Sequence, residues 1–133
     1  MRTHIMSMTY APKVKGIRNG TIRQTIRVLN PKRPIQQSDR LIIHSWSGKP
    51  YRSSWGWRVE GEVSEVAKFN ALSDGVSDVH ANFKFHKWDS PVMDRIAELD
   101  GIKPPTGIAL KDVLEKFHGK FTDEAVRFQI IRW

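Results

Sequence analysis

The chain has 133 residues, 39% of them hydrophobic and 27% charged, which suits one compact domain and excludes a disordered chain. It has no cysteine, so disulfides, thiolate metal sites and a thiol nucleophile are excluded, and a reducing cytoplasm is the expected location. The formal charge of +8 is uneven: residues 1–58 carry 12 Lys and Arg against the single acid Asp39, and residues 59–133 carry 10 against 13 acids. A half-chain this basic points to a polyanionic partner held through its phosphates. No apolar run approaches bilayer length, and Met1–Thr9 lacks the apolar stretch of a signal peptide, so no membrane partner is expected.

In chain order, residues 1–7 read as a flexible extension ahead of one domain spanning residues 8–133, with a short strand at Ser7–Tyr10. Pro12 to Asn19 reads as a helix that Gly20 ends. Thr21 to Val28 alternates, with Ile22, Gln24, Ile26 and Val28 on one face and Arg23, Thr25 and Arg27 on the other, the pattern of a half-buried strand. Asn30-Pro31-Lys32-Arg33-Pro34 is a loop and Leu41–His44 a buried strand. Ser47-Gly48-Lys49-Pro50 is a turn, and Trp57–Val66 reads as one long alternating strand. A short strand is expected at Ala81–Phe85.

Asp89-Ser90-Pro91 starts a helix carrying Val92, Ile96 and Leu99 and ending near Asp100-Gly101. Leu110, Val113, Leu114 and Phe117 form the stripe of the next helix, and Ala125–Trp133 is the closing strand. About six short strands with three helices in an order that is not βαβ predict an α+β fold: a small mixed β-barrel with helices packed outside.

Two groups of side chains carry candidate chemistry. Arg23, Thr25 and Arg27 on one strand face offer two guanidiniums and a hydroxyl to a phosphate or a base edge. Trp46, Tyr51, Trp55 and Trp57 fall within twelve residues, interleaved with Lys49, Arg52 and Arg58, a pattern that suits stacked bases. Trp57 is in phase with Val59 and is expected in the core. Trp46 and Trp55 flank a turn and are expected to stack bases, with Lys49 and Arg52 neutralising backbone on a lid-like loop. His4, His44, His80, His86 and His118 are dispersed without metal-ligand spacing, so no metal and no cofactor are expected. Asp100 at a helix end is the acid to consider as a base, beside Thr25 and Lys49 as further catalytic candidates.

Gly20-Thr21-Ile22-Arg23-Gln24-Thr25-Ile26-Arg27 resembles the signature of the ASCH domain family, small barrels of the PUA-like superfamily. The resemblance continues through Ser38-Asp39, Leu41–Gly48, Ile96–Ile102 and Phe128–Trp133. It implies a PUA-like barrel with a cleft beside the signature strand. The expected partner is RNA, single-stranded or tRNA, or a modified nucleoside, and a monomer is favoured. Some family members are hydrolases: ribonucleases, or amidohydrolases acting on an acylated cytidine with a Lys, a Thr three residues later and a distant Glu. Here the Thr is Thr25, the Lys position is Ile22 and the Glu position falls near Thr106. Ile22 takes no proton, so whether the chain is an enzyme stays open at this point. Binding of RNA or a nucleotide is the leading expectation, and metal-independent hydrolysis in the same cleft is the alternative. A protein-interaction module with an acidic partner is the third.

Overall fold

The computed structural model describes residues 1–78 and 84–133. The first half of the chain holds β1 (Thr3–Ser7), α1 (Ala11–Asn19), β2 (Gln24–Val28), β3 (Arg40–Trp46) and β4 (Trp55–Glu62). The second half holds β5 (Glu65–Ala71), β6 (Gly75–Asp78), β7 (Phe85–Lys87), α2 (Pro91–Leu99), α3 (Gly107–His118) and β8 (Val126–Arg132).

Local chemistry sets the helix boundaries. Pro12 sits in the first turn of α1, where a missing N–H costs nothing, and Gly20 takes the left-handed φ of 81° that ends it. Ser90 Oγ accepts from Met93 N at 3.3 Å to cap α2, and Thr106 Oγ1 accepts from Ala109 N at 3.2 Å to cap α3.

The strands form two sheets, and among the described residues no ladder closes them into a barrel. One sheet runs β1–β3–β4 and the other β2–β8–β5–β6–β7; the β1–β3 pair is parallel and all others are antiparallel. The stretch expected as one strand from Trp57 to Val66 divides between them. Val63 N donates to Asp39 O and Ser64 N to Arg132 O, so the chain changes partner at this point. Period-two alternation carries on through such a switch, because it reports faces and not partners.

Residues 1–7, expected as a flexible extension, contain β1. Its residues Thr3–Ser7 lie in register with Arg40–His44 of β3. Asp39 anchors this strand: its carboxylate accepts from Arg2 N at 3.1 Å and meets His4 Nε2 at 2.8 Å. Burial works to raise the Asp39 pKa, but hydrogen bonds from Arg2 N, His4 and Gln36 N outweigh it and hold it at about 2. The lone acid of the basic half is thus a structural anchor. The strand expected at Ala81–Phe85 falls mostly outside the described residues, and β7 begins at Phe85.

Two apolar cores result. One lies between the five-stranded sheet and α2 and α3, around Phe69, Trp88, Met93, Leu110 and Phe128. The other lies between the three-stranded sheet, α1 and the chain end, around Ile17, Leu41, Ile43, Ile131 and Trp133. Tyr10 packs against both, at the mouth of the gap between them.

Candidate functional site

That gap is a cleft of about 220 Å³, bounded by Ser7–Tyr10, Lys13 of α1, Thr25 to Arg27 of β2, Asp100 and Ile102 after α2, and Leu110 to His118 of α3. Period two places Thr25 and Arg27 on the same side of β2. Lys13 lies one turn before Ile17 on the inward side of α1, so the side that packs Ile17 into the core also carries a lysine inside. Asp100 is the C-cap of α2. Lys13 Nζ and Asp100 Oδ1 are 3.0 Å apart, at 3% and 5% exposure for the two residues.

Gln24 Nε2 donates to Asp100 Oδ1 at 3.2 Å and to Ile96 O at 3.1 Å, while its Oε1 accepts from Arg132 Nε at 2.9 Å. Burial pushes the Lys13 pKa below its ordinary value and the Asp100 pKa above, each held back by the charge of the other. Arg27 Nη2 donates to Ser7 O at 2.9 Å, and its Nε is enclosed with no hydrogen-bond partner. His118 is held below its ordinary pKa, first by burial and then by the Arg27 charge. Phe117, 52% exposed, stands at the rim.

Of the residues proposed from the sequence, Thr25, Arg27 and Asp100 line this cleft and the others do not. Arg23 precedes β2 and turns to the chain end, where its Nε donates to Trp133 O at 2.7 Å. Trp46, Lys49, Arg52 and Trp55 belong to the β3–β4 hairpin. There Trp55 stacks on buried His44 at 4.0 Å, Trp46 meets His44 edge-on at 4.9 Å, and Tyr51 leans on Trp46 at 5.2 Å. Arg58 lies over Trp55 at 5.7 Å. The turn expected as a lid is closed on itself: Ser47 Oγ donates to Ser54 O, and Gly48 N donates to Ser53 Oγ. Trp57 is partly buried against the second core.

Lys13 and His118 are the cleft residues that sequence reasoning missed. The usable signal was their spacing: Lys13 is four before Ile17 and His118 four after Leu114.

Among the described residues, no three His, Asp or Glu side chains gather where a metal would be held, and no helix is long and apolar enough to cross a membrane. His80 lies outside the described residues. Compared with protein-family models, with curated proteins and with solved structures, the chain gives no match.

Proposed function

We propose that this chain is an RNA- or nucleotide-binding protein of the ASCH kind, acting in the cytoplasm, with the cleft as its recognition site. The observation that carries the reading is the convergence of Arg27, Lys13, Asp100 and Thr25 on a half-open cleft rimmed by Tyr10, Phe117 and His118. A nucleotide needs an aromatic or apolar wall for the base, paired donors and acceptors for its edge, and a cation for its phosphate. All three meet here. The hairpin adds the exposed Tyr51 ring, the half-buried Trp46 and Trp55 rings and the exposed cations Lys49 and Arg52, on which neighbouring bases of a single strand would stack. The two sheets share a core and are bridged at Val63–Ser64, in keeping with a PUA-like barrel open along one side.

The test is fluorescence polarisation with labelled single-stranded RNA, tRNA and matched DNA across a salt series. RNA binding that survives physiological salt, with a slope of about −0.7 per phosphate neutralised, is expected. No binding to any polymer or nucleotide overturns the reading, and weak binding indifferent to base and lost at modest salt favours an acidic protein partner instead.

A second reading, hydrolysis in the same cleft, is favoured by the Lys13–Asp100 pair. A buried ion pair adds little stability over an apolar pair, so its place on an open cleft points to proton transfer. In this reading Lys13, inside the cleft, would supply the amine in place of Ile22, and Thr25 would position the substrate. Shortening of labelled RNA, or loss of the acyl group from an acylated cytidine, in the presence of chelator and abolished by Lys13→Met, would establish it. Intact substrates after long incubation at high protein concentration remove it.

A further inference from the structure

Arg27 separates two cavities. Besides the cleft, it lines a second space of about 380 Å³ beneath β1, together with His4, Asn30, Arg33, Ile35 and Gln129. Among the residues lining the two spaces, Asp100 is the one acid, and it is engaged by Lys13 at 3.0 Å. Lys13 takes the Asp100 carboxylate as an ion pair, and the Arg27 guanidinium, although it feels the Asp100 charge, makes no hydrogen bond to a carboxylate among the described residues. Among the described residues the one acceptor it reaches is the neutral Ser7 carbonyl, and its enclosed Nε has none. Arg33 adds a second cation on the far side, donating to the Thr3 carbonyl. A charge drawn from water without a hydrogen-bonded counter-charge is costly, as is an enclosed donor without an acceptor.

We infer that the cleft takes an anionic ligand, a nucleotide whose phosphate lies against Arg27, and that a neutral nucleoside is an incomplete occupant. A phosphate supplies both missing elements at once: negative charge, and oxygen acceptors in the planar fork geometry of a guanidinium. The inference rests on the nucleotide reading of the cleft and sharpens it, because it excludes an uncharged nucleoside as the full ligand.

Isothermal titration at fixed ionic strength, with inorganic phosphate, the common ribonucleosides and their 3′- and 5′-monophosphates as probes, tests it. The wild-type chain is expected to bind a monophosphate ~tenfold or more tighter than the matching nucleoside, the scale of a hydrogen-bonded charge pair. Arg27→Gln should erase that margin. Arg27→Lys, which keeps the charge and loses the fork, should keep part of it and guards against a folding defect in the first variant. A dinucleoside monophosphate, whose phosphate is a diester, separates an RNA backbone from a free nucleotide as the source of the anion, and either result supports the inference. Nucleosides binding as tightly as monophosphates overturns the anion and leaves the cleft a nucleoside site. Inorganic phosphate bound through Arg27 with no gain from any nucleoside supports the anion and overturns the nucleotide reading. No binding by any probe overturns both.

Discussion

The cleft and the β3–β4 hairpin are both rich in cations and rings, yet they are built in opposite ways. The hairpin is local: His44, Trp46, Tyr51, Trp55 and Arg58 lie close in sequence and touch one another across a single turn. Its cations are solvated, and its outermost ring, Tyr51, is 90% exposed. The cleft draws Lys13, Arg27, Asp100 and His118 from four separate elements, burying Lys13 and Asp100, half-burying Arg27 and leaving His118 exposed at the rim. Buried charges require partners, and partners come from far along the chain, whereas exposed rings and cations need only be near each other. The two regions meet at the end of β1. Arg27 donates to Ser7 O, Ser7 lies in register with His44, and Met8 N donates to His44 O at 2.8 Å.

The largest expected break in this comparison comes from the buried pair. Asp100→Ala leaves Lys13 uncompensated and should cost about 3–5 kcal/mol in urea denaturation, while the double change Lys13→Met with Asp100→Leu should recover most of that. A cost below about 1 kcal/mol for the single change would mean that the two regions do not differ as described. The double variant, folded, should no longer bind nucleotides.

Next in size, Trp46→Ala should weaken single-stranded RNA binding by about 1–3 kcal/mol and leave the affinity for a mononucleotide in the cleft alone. Loss of both affinities would merge the two regions into one site. Tyr51→Ala, at an exposed position, should move the folding free energy by no more than about 0.5 kcal/mol and still weaken RNA binding.

Acidification separates the regions by titration. Burial holds His44, in the hairpin, and His118, in the cleft, below the ordinary histidine pKa. Each group's folded pKa lies below its unfolded one, so the associated stability is complete above the ordinary value and is lost as pH falls through the folded value. Melting temperature should therefore drop as pH is taken below about 6.5. His44→Gln should remove one part of the drop and His118→Gln the other. Asp39, at about 2, has the same sign in a lower window. Its contribution is complete above the ordinary carboxylate value and disappears as pH falls from about 4 toward 2. Asp39→Asn should flatten that limb.

On nucleotide binding, the smallest effect is expected at Arg23. Its bond to the Trp133 carbonyl ties β2 to the chain end, so Arg23→Ala should cost about 1 kcal/mol of stability and leave nucleotide binding unchanged. A large loss of binding would return Arg23 to the cleft.

Helix starts and stops were legible along the chain because their causes are local. Pro12, Gly20 and Ser90-Pro91 each act within one turn of themselves, whereas the Thr106 cap of α3 was seen only in the structure. The alternation at Ile22–Val28 was enough to place Thr25 and Arg27 on one side of a strand, and the position of Asp100 at a helix end was equally plain. Arg23 misled, because alternation extends one residue past the point where pairing with β8 begins at Gln24. β1 was illegible, since five residues of weak pattern become a strand only when Arg40–His44 is beside them to supply the ladder. Trp57–Val66 looked continuous because side-chain alternation carries no record of a change of partner.

Composition and spacing by themselves determined a basic, cysteine-free α+β chain, its three helices and the strand that carries Thr25 and Arg27. The tertiary structure alone decided that Lys13 would pair with Asp100, 87 residues away in a chain of 133, and that the enclosed Arg27 Nε would be left without a hydrogen-bond partner among the described residues. The reason is physical: hydrophobic period and capping act over a few residues, while the fate of a charge depends on which distant group is brought within hydrogen-bond reach once water is excluded.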